Sequence, residues 1–128
     1  MLWHYEIYPY VNNVQVYNCP SSSERLPAGS YDASFGYGKN NFIGGVSLAE
    51  LEKPSQKIFL VDSTYYLADW DTRHGADSDN ANPPYNCHNE GANAALCDGH
   101  AKWYKGGTIS YLDDVEHADP PSPDMWLP

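Results

Sequence analysis

The chain has 128 residues, with seven Lys and Arg against 17 Asp and Glu, a net charge of −10, and ten each of Gly and Pro. That length fits one small domain with a modest core and many loops. Seven scattered basic residues do not neutralise a row of phosphates or hold an anionic membrane, which argues against nucleic acid and acidic lipid as partners.

In chain order, Leu2, Trp3, Tyr5, Ile7, Tyr8 and Tyr10 predict a short helix or an irregular packed lead-in over Leu2 to Val11, with Pro9 limiting its extension. Val14 to Tyr17 predicts a short strand ending at Asn18-Cys19-Pro20. Ser21 to Gly29 is a loop, and Ser34 to Tyr37 a second extended piece. Over Ser47 to Leu51 one or two helical turns are expected, with Ser47 as N-cap, Glu50 at the capping-box position and Pro54 closing the segment. Lys57 to Val61 is the clearest central strand. Asp71 to Glu90 is a long polar loop without periodicity. Asn93 to Cys97 and His100 to Tyr104 form a hairpin around a two-residue turn at Asp98-Gly99. The acidic, Pro-rich end from Asp113 to Pro128 wraps or dangles. The division is a head over residues 1–112 and a tail over 113–128.

Eleven Tyr, four Trp and three Phe supply much of the core, and the tyrosines suit a thin domain whose sheet is partly exposed. Three cysteines, Cys19, Cys87 and Cys97, allow one disulfide in any of three pairings, or three buried thiols. Their spacing is not that of a Cys-x-x-Cys zinc site. Asp69, Asp71, Asp77, Asp79 and Asn80 place hard oxygen donors on one flexible segment, which suits calcium, although the loop lacks the EF-hand pattern. Asp62 and Asp98 are outlying candidates for the same ion. His88 and His100, with Asp98, bracket the hairpin, and alternation along the strand argues against a packed trio. The expectation is that these histidines fix local backbone. There is no Gly-x-Ser-x-Gly elbow, His-Glu-x-x-His helix or phosphate loop.

Several short motifs occur in a fixed order: Trp3 with Pro9-Tyr10, Cys19-Pro20-Ser21, Ser30-Tyr31 through Phe35-Gly36-Tyr37 to Asn40, Pro54-Ser55 with Ile58 to Asp62-Ser63, and His88, nine residues, Asp98-Gly99-His100. Over residues 3 to 104 this order resembles the prepilin-like proteins related to type II secretion pseudopilins. Leu96 and Ala101 stand where that family more often has Phe and Val, and the Arg that usually precedes the His is Cys87 here.

The resemblance implies an α+β fold, a small antiparallel sheet with long loops like a pseudopilin globular head, and calcium held by a loop near the C-terminal sheet. It implies a structural or assembly role in a secretion or pilus-like system, other pseudopilins as partners through an anchor helix, and a periplasmic or extracellular location. The family's basic leader and apolar stretch of about 20 residues are not found in residues 1–128, which correspond either to a soluble head or to a relative without the anchor. Such a head is expected to be monomeric. The rival reading is a calcium-dependent hydrolase opening lactones or other activated esters on the same scaffold, with His88 and Asp98 as its catalytic pair.

Overall fold

A computed structural model describes residues 3–21, 36–63, 66–68, 86–109 and 123–128. Most of the loop expected from Ser21 to Gly29, the residues Ser34 and Phe35, and the acidic positions Asp69, Asp71, Asp77, Asp79 and Asn80 lie outside those residues.

Helix α1 spans Trp3–Val11, burying Trp3 and His4. Pro9 lies inside it and does not end it; the one backbone bond it forfeits is to the carbonyl of Tyr5, on the exposed side. The helix ends instead at Asn12, whose φ of 47° turns the backbone left-handed, a conformation that Asn tolerates better than most residues. Val14–Tyr17 is a 3-10 helical turn and not the expected strand. Asn13 Oδ1 accepts the Gln15 N–H at 2.9 Å, and Val14 and Val16 stay exposed. A local side-chain cap therefore prevailed over β preference.

One sheet holds five strands in the order β3-β1-β2-β4-β5, with β1 at Tyr37–Asn40, β2 at Ile58–Asp62, β3 at Leu67–Ala68, β4 at Gly91–Leu96 and β5 at Ala101–Lys105. The apolar segment ending at Asp62 is the central strand, as expected. The sheet is mixed and not antiparallel throughout, since β3 runs parallel to β1 with Lys39 opposite Leu67. After Asp62 the chain passes the start of β1, where the Ser63 N–H bonds the Gly36 carbonyl at 3.0 Å, and returns along the far side of β1. Over Ser47 to Leu51 the capping box forms, with the Ser47 N–H on Glu50 Oε2 at 3.0 Å. It closes one turn only, and Lys53 at φ 53° then reverses the chain.

The hairpin of β4 and β5 is present, but its turn has three residues. The Leu96 N–H bonds the His100 carbonyl at 2.7 Å, and the Gly99 N–H bonds the Leu96 carbonyl at 2.9 Å. Of the turn residues only Gly99 has positive φ, 94°, the pattern of a type I turn closed by a glycine bulge. Asp98 keeps an ordinary backbone and instead accepts the His100 N–H on Oδ1 at 3.1 Å. A two-residue turn with two left-handed residues does occur, at Asn89 (φ 51°) and Glu90 (φ 62°). There His88 and Gly91 exchange backbone bonds of 3.0 and 3.1 Å.

A register shift between Ile58 and Leu60 decides which side chains face which way. Ile58 pairs with Leu96 and Val61 with Ala94, whereas Leu60 pairs with Ala95. Opposed residues share a face, so the bulge at Phe59 puts Ile58 and Val61 into one core with Ala92, Ala94, Leu96 and Tyr104. Leu60 and Asp62 turn to the other face, towards α1. The first core is closed by a four-residue helix α2, Pro123–Trp126. Trp126 is fully buried there, and Asn40, also fully buried, donates from Nδ2 to the carbonyls of Ile58 and Trp126, each at 3.0 Å. The end of the tail thus wraps onto the sheet.

Candidate metal centre

At the start of β1 three remote segments meet. Cys19 follows the 3-10 turn, Asp62 ends β2, and Cys87 and His88 precede the tight turn into β4. One donor atom from each of these four side chains lies within 4.8 Å of the others. Cys19 Sγ is 3.3 Å from His88 Nε2, and His88 Nε2 is 3.5 Å from Asp62 Oδ2. Asp62 is 1% exposed. Such a group can hold a metal ion, and its chemistry is not calcium's: two thiols and an imidazole are soft or intermediate donors, where calcium takes six to eight oxygens.

Local structure explains how each residue arrives. Gly36 admits the cysteine turn, since a Cβ there would stand 2.4 Å from the Cys19 amide nitrogen. The Gly36 N–H then bonds the Tyr17 carbonyl at 2.7 Å. The Phe59 bulge turns Asp62 to this face, and the Asn93 N–H from β4 bonds Asp62 Oδ2 at 2.6 Å. His88 is fixed through its backbone by the turn at Asn89-Glu90 and by Trp103, whose Nε1 donates to the His88 carbonyl at 2.7 Å. Its backbone is held in the turn, while its ring, expected to bond local backbone, faces Cys19 and Asp62. Gly36→Ala should cost about 1–3 kcal/mol, the usual penalty of overpacking, because backbone and not a side-chain tip must yield. Urea denaturation measures this, and an unchanged midpoint would contradict the close approach.

The electrostatics follow from crowding acids in a dry corner. Burial pushes the Asp62 carboxyl above the ordinary carboxylate range, and the Asn93 N–H and then His88 pull it part of the way back. Burial first, then the charge of Asp62 and the neighbouring Cys19, push the Cys87 thiol up to about 12. Burial, Cys19, Asp62 and Cys87 likewise raise the nearby Tyr37 phenol. A divalent cation among these groups would reverse each push. Asp62 Oδ1 is buried without a hydrogen-bond partner.

The other predicted site residues fall elsewhere. Asp98 sits at the hairpin tip, where Oδ2 meets His100 Nδ1 at 2.7 Å in an exposed pair, and the His100 N–H leads in holding its carboxyl low. His88 lies at the opposite end of β4, so the structure does not bring His88 and Asp98 together. Asp69, Asp71, Asp77, Asp79 and Asn80 lie outside the described residues. The three cysteines are free thiols. Cys19 and Cys87, whose spacing in sequence argued against a zinc site, belong to the centre because the fold brings distant segments together, and Cys97 stands apart in the hairpin turn. The local clues were a carboxylate ending an apolar strand and an adjacent Cys-His pair. Neither announces a partner far away in sequence.

No protein-family model matches the chain, and comparison with curated proteins and with solved structures likewise finds no match. The chemistry of the centre rests on its own geometry.

Proposed function

We propose that this chain is the globular head of a pseudopilin-like assembly protein, and that a bound metal ion holds the head together. The metal part is carried by one observation: Cys19, Asp62, Cys87 and His88 converge from three segments onto one point at the edge of the core. The assembly part is supported by the ordered motif series from Trp3 to Tyr104, whose closing His and Asp-Gly mark the two ends of a single strand and its turns. That role places the head outside the cytoplasm, beside other pseudopilins. Among the described residues no helix is long and apolar enough to cross a membrane. No observation favours the lactone or ester hydrolase, whose pair, His88 and Asp98, does not meet.

Ion binding to the folded state alone stabilises by RT ln(1 + [L]/Kd), about 2.7 kcal/mol at a hundredfold excess over Kd. For a domain of this size that is a rise of roughly 10 °C. Thermal unfolding of reduced protein, in chelator and then with calcium, magnesium or zinc, tests the reading. Calcium alone restoring the melting temperature would place the ion on the acidic loop of Asp69, Asp71, Asp77, Asp79 and Asn80, as the resemblance implies. Zinc restoring it would place the ion at the Cys/Asp/His centre. An unchanged temperature with every ion would sink the metal part. In sedimentation the isolated head should be a monomer, and a tight dimer would count against the assembly part.

A further inference from the structure

We infer that Cys19, Asp62, Cys87 and His88 form a closed, four-ligand site for a zinc-class ion, in which the metal is a structural clip and not a catalyst. This deepens the reading that a metal holds the head together and depends on it. Zinc binds sulfur at about 2.3 Å and nitrogen or oxygen at about 2.0–2.1 Å, so the edges of its tetrahedron run roughly 3.3–3.8 Å. The separation of 3.3 Å from Cys19 Sγ to His88 Nε2 falls on those edges, and the Asp62 carboxylate reaches to 3.5 Å of the same nitrogen through its other oxygen, Oδ2. All four donors lie within 4.8 Å of one another, which leaves only small side-chain movements to close the set.

An independent observation concerns Asp62. Its Oδ2 takes the Asn93 N–H, yet Oδ1 is sealed from water with no donor on it. A buried carboxylate oxygen left so is costly, and a bound cation would satisfy it. Asp62 would then bind the ion through Oδ1 while Asn93 orients it through Oδ2, as second-sphere donors commonly do for carboxylate ligands.

Four protein donors fill a tetrahedral ion, leaving no position for water or substrate, which is the mark of a structural site. The clip joins residues 69 apart in sequence, Cys19 and His88. Closing so long a loop carries a large entropic cost that the bond to the metal offsets.

Cobalt(II) tests this, because it takes zinc's place and reports its own coordination. Chelator-treated protein, kept reduced, is titrated with cobalt and then zinc. The expected result is one equivalent per chain, intense visible bands of a tetrahedral ion, a thiolate charge-transfer band in the near ultraviolet, and bleaching by zinc. Cys87→Ala and Asp62→Asn should each weaken binding by more than the roughly 10–100-fold that loss of a second-sphere partner costs. Cys97→Ala should leave the spectrum unchanged. Should the ligand variants not fold, the native spectrum and its stoichiometry decide alone. Weak octahedral bands without a thiolate signal would overturn the zinc-class site, and the metal-clip reading would survive if calcium still raised the melting temperature. Thiol titration of the protein purified without reductant and then denatured, showing Cys97 alone reactive and Cys19 and Cys87 joined as a disulfide, would also overturn it. Unchanged cobalt affinity and unchanged thiolate charge-transfer intensity in Cys87→Ala would do the same.

Discussion

Trp126→Ala should lower stability by about 3–5 kcal/mol, the range found when a buried aromatic is cut to alanine. The indole is fully buried, and it fills the face of the sheet beneath Ile58, Val61, Ala94 and Tyr104. It also donates from Nε1 to the Ile109 carbonyl, so the substitution leaves both a cavity and an unpaired acceptor. The Trp126 carbonyl itself is held by Asn40, whose side chain also bonds the Ile58 carbonyl and caps the turn after β1 through the Phe42 N–H at 2.9 Å. Damage at α2 is therefore felt at the middle of the sheet. Against a total stability of about 5–15 kcal/mol, a loss of that size is plain in a urea titration. A shift below about 1 kcal/mol, the level of an ordinary substitution, would mean that α2 is an ornament on a core complete without it.

The second large effect is a stabilisation that grows with pH when the centre is loaded, opposite in sign to what the same groups contribute in the metal-free protein. In the metal-free protein the Cys87 thiol stands at about 12 against an ordinary 9.0. A folded-state pKa above the unfolded one means that the folded chain holds that proton more tightly. The stability contributed is complete below pH 9.0 and is lost as pH rises through about 12. Asp62 carries the same sign at lower pH: its contribution is present below 3.8 and is lost as pH climbs past its raised value. A bound ion acts the other way, because it takes thiolates and a carboxylate, displaces their protons and binds more tightly as pH rises. Melting curves recorded from about pH 6 to about pH 8, around the range where zinc ligands give up their protons, should show the gap between zinc-loaded and chelated protein widening with pH. A constant gap would mean that no thiol proton is released on binding.

The parts of the fold readable in the sequence are those settled by neighbours. Ile58 to Val61 announces a buried strand by composition, and the short apolar run from Asn93 to Cys97 followed by the alternation of His100 to Tyr104 announces a hairpin. Asp98-Gly99 locates its turn, yet the choice between a two- and a three-residue loop depends on which residue takes positive φ. Glu90, beside Asn89, shows that such a conformation can fall on a residue that does not advertise it. Asn13 overruled two valines by one hydrogen bond. A two-residue strand such as β3 has no period to detect, so the parallel pairing could only come from tertiary structure. The centre was half visible: His88, Asp62 and both cysteines stood out for separate reasons. Their convergence depends on the Phe59 bulge and on Gly36 admitting Cys19, and neither has a signature in a single sequence. The acidic loop drew attention as a dense local cluster, the easiest pattern to see and the one that says least about three-dimensional neighbours.

The outer strand β5 has a consequence for solubility. It borders the sheet with Ala101, Lys102, Trp103 and Lys105 exposed, and no described strand pairs with its far side. An open backbone edge beside an exposed indole invites a second chain to add as a further strand, the first step towards fibrils. Lys102 and Lys105 set like charges on every such encounter, and Lys102 also lies over the Tyr104 ring at 5.1 Å. In a protein of net charge −10 these two lysines act as gatekeepers at this edge, where charge of either sign keeps chains from zipping together. Concentrated protein lacking both should precipitate or form thioflavin-positive aggregates before it loses its fold.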